Sequence, residues 1–230
     1  SHVGLRMRAI VGMALAACSP ATGTPSSEPG AVNSPSSPGA TVAPPPGSKI
    51  LHTSFLSGDV PTLDPALAED SSSIQILRET MVGLTHLNEV DNSLEPGMAT
   101  DWEIADNADG TQTITFHLRD DVPWVRWNGE AVETVKTCDG SADRIVNAND
   151  FAYGIYRNLL PANASPYAYL LDFVLKGASE FNNGDTEDFS TVGVEVIDAQ
   201  TIVLTFLSPA AYNAQIAGLW VAYPSPKWLI

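Results

Sequence analysis

Two stretches of the chain alternate apolar and polar residues. Ile114, Phe116 and Leu118 interleave with Thr113, Thr115, His117 and Arg119, the period of a strand with one buried face. Residues 101–105 precede them across Asn107-Ala108-Asp109-Gly110, a run of turn formers, so the segment predicts a β-hairpin. Residues 192–197 and 201–207 predict a second alternating hairpin. Elsewhere the apolar spacing is helical. Ile74, Leu77 and Met81 share one face of a helix with Ser71 or Ser72 as N-cap. Asn147 or Asn149 caps another helix through Leu160, with Phe151, Ile155 and Leu159 on its apolar face. Pro209 opens a third, along which Tyr212, Ile216 and Leu219 line up. Residues 50–55 predict a strand, 58–65 a loop rich in turn formers, and 120–146 a long loop carrying Trp and Gly. Hairpins and helices in this mixed order predict an α+β fold.

The first 48 residues follow neither period. Arg6 and Arg8 precede a short apolar run, residues 9–17, that ends in Leu15-Ala16-Ala17-Cys18. A basic head, an apolar body and small residues before a cut form a secretory signal. The cysteine at the cut resembles a bacterial lipoprotein lipobox, which implies that Cys18 is diacylated through its sulfur and becomes the first mature residue. The apolar run is far shorter than the roughly 20 residues of a membrane-spanning helix. The expectation is a protein anchored to the cell membrane on its outer side rather than spanning it. Residues 19–48 hold 8 of the 17 prolines and one charge, Glu28. Such a segment buries too little apolar surface to offset its ordering entropy, so it reads as a disordered linker. Folded sequence starts near Lys49.

The formal charge is -16. Removing Arg6 and Arg8 with the signal leaves nine basic against 27 acidic residues, or -18. So acidic a chain repels phosphate backbones, which argues against nucleic acid as a partner. There are two cysteines. With Cys18 lipidated, Cys138 has its partner beyond residue 230 or is a free thiol.

Catalytic motifs are absent from the sequence: there is no G-x-S-x-G elbow, no phosphate-binding G-x-x-x-x-G-K-[ST] and no H-E-x-x-H. His52, His86 and His117 are isolated and read as strand or turn residues. Asp185, Glu187 and Asp188 do not have calcium-loop spacing and read as a solvated loop. Trp124 and Trp127 either wall a ligand site or plug the end of a small sheet. Tyr167, in Ala164-Ser165-Pro166-Tyr167-Ala168, offers a flat apolar face and a hydroxyl on a rigid turn, which suits a binding surface.

Several segments, taken in order, resemble one family. They are Thr62-Leu63-Asp64-Pro65, Gly83-Leu84-Thr85, residues 95–103 (EPGMATDWE), residues 115–119 (TFHLR) with Val122-Pro123-Trp124, residues 149–153 (NDFAY), residues 164–168 (ASPYA), Val192-Gly193-Val194, and Pro224-Ser225-Pro226-Lys227. The set is similar to the extracytoplasmic solute-binding proteins of peptide and nickel ABC importers, the oligopeptide-binding type of family 5. A departure follows Trp127-Asn128-Gly129, where about twenty residues, 128–146 with Cys138, stand in place of a short W-x-D-G turn.

The resemblance implies part of a two-lobed, periplasmic-binding-protein type II-like fold. Residues 1–18 are then the signal, 19–48 the linker, 49–81 the start of lobe one, 82–225 its small subdomain, and 226–230 a return into lobe one. The second lobe lies beyond Ile230, which makes the sequence the N-terminal part of a longer protein. The implied function is capture of peptides and their delivery to permease subunits with their ATPases, with no reaction, cofactor or metal. Alternative ligands are a nickel chelate, haem or an oligosaccharide. The alternative class is a surface adhesion or chaperone-like protein. Carried over by motif, the ligand contacts are Glu69, with Asp70 and Ser71, and Tyr167. Glu69 either pairs with a ligand amine or is a solvated acid at a helix entry.

Overall fold

The computed structural model describes residues 59–230. Cys18, the linker 19–48, His52 and the strand expected at 50–55 lie outside the described residues. Residues 59–64 are irregular and 65–67 form a turn. The first helix, α1, is Ser71–Thr80, with Asp70 as N-cap. The expected cap was a serine. The cap falls one residue earlier because Asp70 Oδ1 accepts the Ser73 N–H at 2.9 Å, which satisfies a backbone donor the first turn leaves free. Leu77 is buried, and Ile74 and Met81 pack beside it as their spacing predicts.

Two short strands, β1 (Thr85–Leu87) and β2 (Leu94–Pro96), pair antiparallel. The main sheet comprises β3 (Ala99–Asp106), β4 (Gln112–Leu118), β7 (Val194–Asp198) and β8 (Thr201–Phe206). Its order is β3-β4-β8-β7, antiparallel throughout. The two predicted hairpins therefore meet through β4 and β8, with Phe116 opposite Ile202 and Ile114 opposite Leu204. Ile114, Phe116, Ile202, Leu204 and Phe206 are almost wholly buried, while Thr113, Thr115, His117, Thr201 and Thr205 face outward and are partly exposed. The β3–β4 turn uses Gly110 at φ 86, a left-handed conformation that favours glycine.

Helix α2 (Ala148–Leu159) contributes to the same core as the buried face of the sheet. Asn147 is its N-cap: Asn147 accepts from the helix backbone, and Asp150 Oδ2 accepts the Asn147 N–H at 3.0 Å, a reciprocal capping box. Phe151, Ile155 and Leu159 are fully buried, as their spacing predicts. Gly154 lets the chain at Tyr223 approach closely, since a Cβ there would lie 2.0 Å from the Tyr223 carbonyl oxygen.

The expected loop at 120–146 contains a further hairpin, β5 (Val125–Trp127) and β6 (Val132–Thr134). Its turn is organised by Asn128 Oδ1, which accepts the Glu130 and Ala131 N–H groups at 2.9 Å each. Short local turns of this kind leave little trace in apolar periodicity. Trp124 packs against the core and donates Nε1 to Asp150 Oδ2 at 3.2 Å, so it plugs rather than lines; Trp127 is 64% exposed. The insertion also grips the end of the described chain: the Arg144 guanidinium sits 4.3 Å over the Trp228 ring. Cys138 is disulfide-bonded, not a free thiol, and Arg144 Nη2 donates to its Sγ at 3.3 Å.

Three further helices are single turns: α3 (Tyr169–Asp172), α4 (Ala178–Asn182) and α5 (Asn213–Ile216). The helix expected from Pro209 is thus only α5. Ile216 and Leu219 pack against the core as their spacing predicts, but Tyr212, expected on the same face, is 53% exposed, and Asn213, Ala214 and Ala217 are buried. The reason is polar: Asn213 Nδ2 donates to Gln112 Oε1 and to the Ser208 carbonyl, at 2.9 Å each, which turns that face inward. Among the described residues, no helix is long and apolar enough to cross a membrane.

Candidate functional site

The segment 62–70 is built around Asp64. Its N–H donates to Thr62 Oγ1, its Oδ1 accepts the Ala66 N–H, and its carbonyl accepts the Leu67 and Ala68 N–H groups, all at 3.0 Å. This is the local hydrogen bonding that aspartate offers a turn. The turn delivers Glu69 and Asp70 to the start of α1. Glu69 is exposed, Asp70 is half-buried, and Ser71 is exposed as the first helical residue.

Tyr167 comes from a second turn. Pro161–Asn163 is a turn of 3-10 helix that ends on Ala164 at φ 47. The left-handed residue bends the chain so that 165–168 folds back beside 62–70. The Tyr167 hydroxyl then donates to the Glu69 carbonyl oxygen at 3.5 Å. Of the four residues singled out in the sequence, the structure brings these two into contact and sets Asp70 and Ser71 directly after them.

Aromatic packing fixes the Tyr167 ring. It stands edge-on to Trp220 at 5.2 Å and tilted against Tyr169 at 5.7 Å. Tyr169 in turn meets Phe173 at 6.2 Å, and these two are 43% and 72% exposed. An aromatic strip thus leads from the Glu69 turn to the surface. Trp220 packs against both the main core and the small cluster of Ala68, Leu77 and Tyr223, so it joins α1 to the sheet domain. Apolar periodicity gave no sign of Trp220.

Asp70 is held below the ordinary carboxylate range by the side chain and then the backbone N–H of Ser73, although Ser73 Oγ itself makes no hydrogen bond of standard geometry. Asp70 Oδ2, Ser73 Oγ and Trp220 Nε1 are buried without a partner. Buried polar groups in folded proteins are nearly always paired, by ligand or water if not by protein. Asp64 is governed by two opposed effects. Burial raises it, but the hydrogen bonds and charge of Arg157, with the Ala66 N–H, outweigh that and leave it lowered. Burial raises Asp150, more than the Asn147 N–H, Trp124 and Arg144 lower it.

The site has carboxylates, carbonyls, a phenol and aromatic faces. Among the described residues, no group of three His, Cys, Asp or Glu is placed to hold a metal ion. Asp188, from the acidic loop, caps the short helical turn Phe189–Thr191 by accepting the Ser190 N–H. A groove of about 860 Å³ runs along α1 from the edge of this site; Ser71, Arg78, Met81, Leu219 and Trp220 are among its lining, Glu69 and Tyr167 are not. What this arrangement can do is bind: main-chain acceptors and carboxylates suit an extended chain with N–H donors or an amine.

The family model described as bacterial extracellular solute-binding proteins, family 5, middle, matches residues 93–228. The oligopeptide-binding protein OppA of Bacillus subtilis (strain 168) is 33% identical over 163 residues, 71% of this chain and 26% of its own length. The solved structure of Burkholderia pseudomallei OppA superposes with a TM-score of 0.58 at 28% identity, over 73% of this chain and 29% of that one. The Haemophilus influenzae OppA structure, a complex with the peptide RPPGFSPFR, gives 0.57 at 27% identity, over 72% and 28%. The chain therefore spans about a quarter of the length of the relatives it matches.

Proposed function

The chain belongs to the bacterial extracellular solute-binding proteins of family 5, and from that premise we propose that its parent protein captures peptides outside the cytoplasmic membrane and delivers them to an ABC importer. The observation that carries the reading is the contact of the Tyr167 hydroxyl with the Glu69 carbonyl at 3.5 Å. It joins the two segments whose motifs resemble the ligand-contacting segments of oligopeptide-binding proteins. In this reading Glu69, Asp70, Ser71 and Tyr167 face the peptide. Glu69 and Ser71 are exposed, so water competes for every hydrogen bond they make, and closure of a second lobe over them strengthens binding. Residues 49–81 begin lobe one, 82–225 form its subdomain and 226–230 return to it. The partners are permease subunits and their ATPases, which read the closed form.

The proposal includes a lipid anchor at Cys18, with residues 19–48 as spacer. The chain has two cysteines and Cys138 is disulfide-bonded. One sulfur cannot carry both a diacylglyceryl group and a disulfide, so the anchor requires that Cys138 pair with some cysteine other than Cys18. Mass spectrometry of the protein from native membranes tests both parts. The expected results are a diacylated Cys18 and a released ligand with peptide masses. A Cys18–Cys138 disulfide overturns the anchor, and a nickel chelate, haem or sugar as ligand overturns the peptide reading.

A further inference from the structure

Arg157 and Asn158 are the buried polar residues on the last turn of α2, and between them they hold both site segments. The Arg157 guanidinium donates Nη1 to Asp64 Oδ1 and Nη2 to Asp64 Oδ2, both at 2.7 Å. This is a bidentate fork, and the two side chains are only 11% and 25% exposed. It grips the residue around which the whole 62–70 turn is built. The Arg157 carbonyl, left free by the end of the helix, accepts Asn163 Nδ2 at 2.7 Å. Asn158 Oδ1 accepts the Ser165 hydroxyl at 3.2 Å. Those two bonds hold the turn that carries Tyr167.

We propose that Arg157, with Asn158, is the positioning residue of the candidate peptide site: its fork on Asp64 sets Glu69 against Tyr167. This rests on the peptide reading of that site. The chain separation is informative. Asp64 and Arg157 are 93 residues apart, and Glu69 and Tyr167 are 98 apart. Between them, one guanidinium and one helix end bring together residues that no local structure would. Lysine cannot substitute, because an ammonium is a point charge without the planar fork that fixes the Asp64 carboxylate in orientation.

The test uses the unliganded chain and hydrogen exchange read by mass spectrometry, so its outcome does not depend on whether the ligand is a peptide. The variants are Arg157→Lys and the double substitution Asp64→Asn with Arg157→Leu. The double variant removes both buried charges together and keeps an oxygen for the Ala66 N–H, so melting temperature should recover towards wild type. Exchange in 65–70 should still rise about tenfold or more in both variants, while 163–168, whose bonds to the Arg157 carbonyl and to Asn158 remain, and the amides of β4 and β8 stay protected. If site exchange returns to the wild-type rate whenever the melting temperature does, the pair is only structural and the proposal is overturned. A rise of equal size in β4 and β8 overturns it as well.

Discussion

Glycine in mid-helix is normally a weak point, and alanine in its place stabilises by about 0.5–1 kcal/mol. At Gly154 the structure predicts the opposite sign. A Cβ there meets the Tyr223 carbonyl oxygen at 2.0 Å, the Tyr223 carbonyl carbon at 3.1 Å and the Ser225 nitrogen at 3.4 Å. All three are backbone atoms, so no side chain can swing aside. Ordinary contact requires α2 and the 223–225 segment to part by roughly an ångström. Tyr223 and Ser225 are 5% and 2% exposed, and the Ser225 N–H donates to the Asp150 carbonyl at 2.9 Å. Overpacking costs about 1–3 kcal/mol and weakening that bond about 1 kcal/mol, against about 1 kcal/mol gained in propensity. The net is a loss of about 2 kcal/mol for Gly154→Ala. For the size of the described region that lowers the melting temperature by about 4–8 °C. The movement also unseats Tyr223 from Leu77 of α1, so exchange at α1 amides should rise with it. Thermal and urea melts decide the matter. An unchanged or raised melting temperature would refute the close packing of α2 on 223–225.

Tyr167→Ala removes a half-buried ring that packs on Trp220, so it should cost about 2 kcal/mol of stability as well as weaken peptide binding; the cleaner probe is Tyr167→Phe, expected to stay within about 0.5 kcal/mol in a urea melt because the lost bond to Glu69 is long. Acid should loosen the Asp64 clamp. A carboxyl lowered in the folded state stabilises above its unfolded value and loses that contribution as pH falls through the lowered folded value. Melting temperatures of wild type and Arg157→Leu should therefore differ at about pH 7 and converge towards about pH 3, and a constant difference would count against the clamp. Asp150 and Asp172, raised by burial, work with the opposite sign: each favours the folded state while protonated and loses that as pH rises through its raised value.

What could be read in the chain before its structure follows from where its information is local. The alternation of Ile114, Phe116 and Leu118 and the helical spacing of Phe151, Ile155 and Leu159 identify core faces directly, because each strand or helix buries one side. In the α5 region Ile216 and Leu219 pack on the core as their spacing predicts, while Tyr212 lies outside and a buried Asn213, paired with Gln112 from another strand, is not legible in the apolar pattern. Tyr167 and Glu69 are singled out by their motifs, and the structure places them in contact. Arg157 is not recognisable, since one arginine on a helix is ordinary until its partner 93 residues away is known. Trp220 is hidden for the same reason: its neighbours come from three distant segments.

The central claim is that the Glu69–Tyr167 surface binds peptide. It is tested most directly by nuclear magnetic resonance of isotope-labelled chain titrated with RPPGFSPFR, the peptide bound by the Haemophilus influenzae relative. Because Glu69 and Ser71 lie open to water, binding should be weak, with a Kd of about 1 mM or above, equivalent to about -4 kcal/mol. The shifts should centre on residues 69–71 and 164–168 and spread to Trp220. Shifts centred on the groove beside Arg78 and Leu219, or micromolar binding that leaves Tyr167 unmoved, would contradict the account.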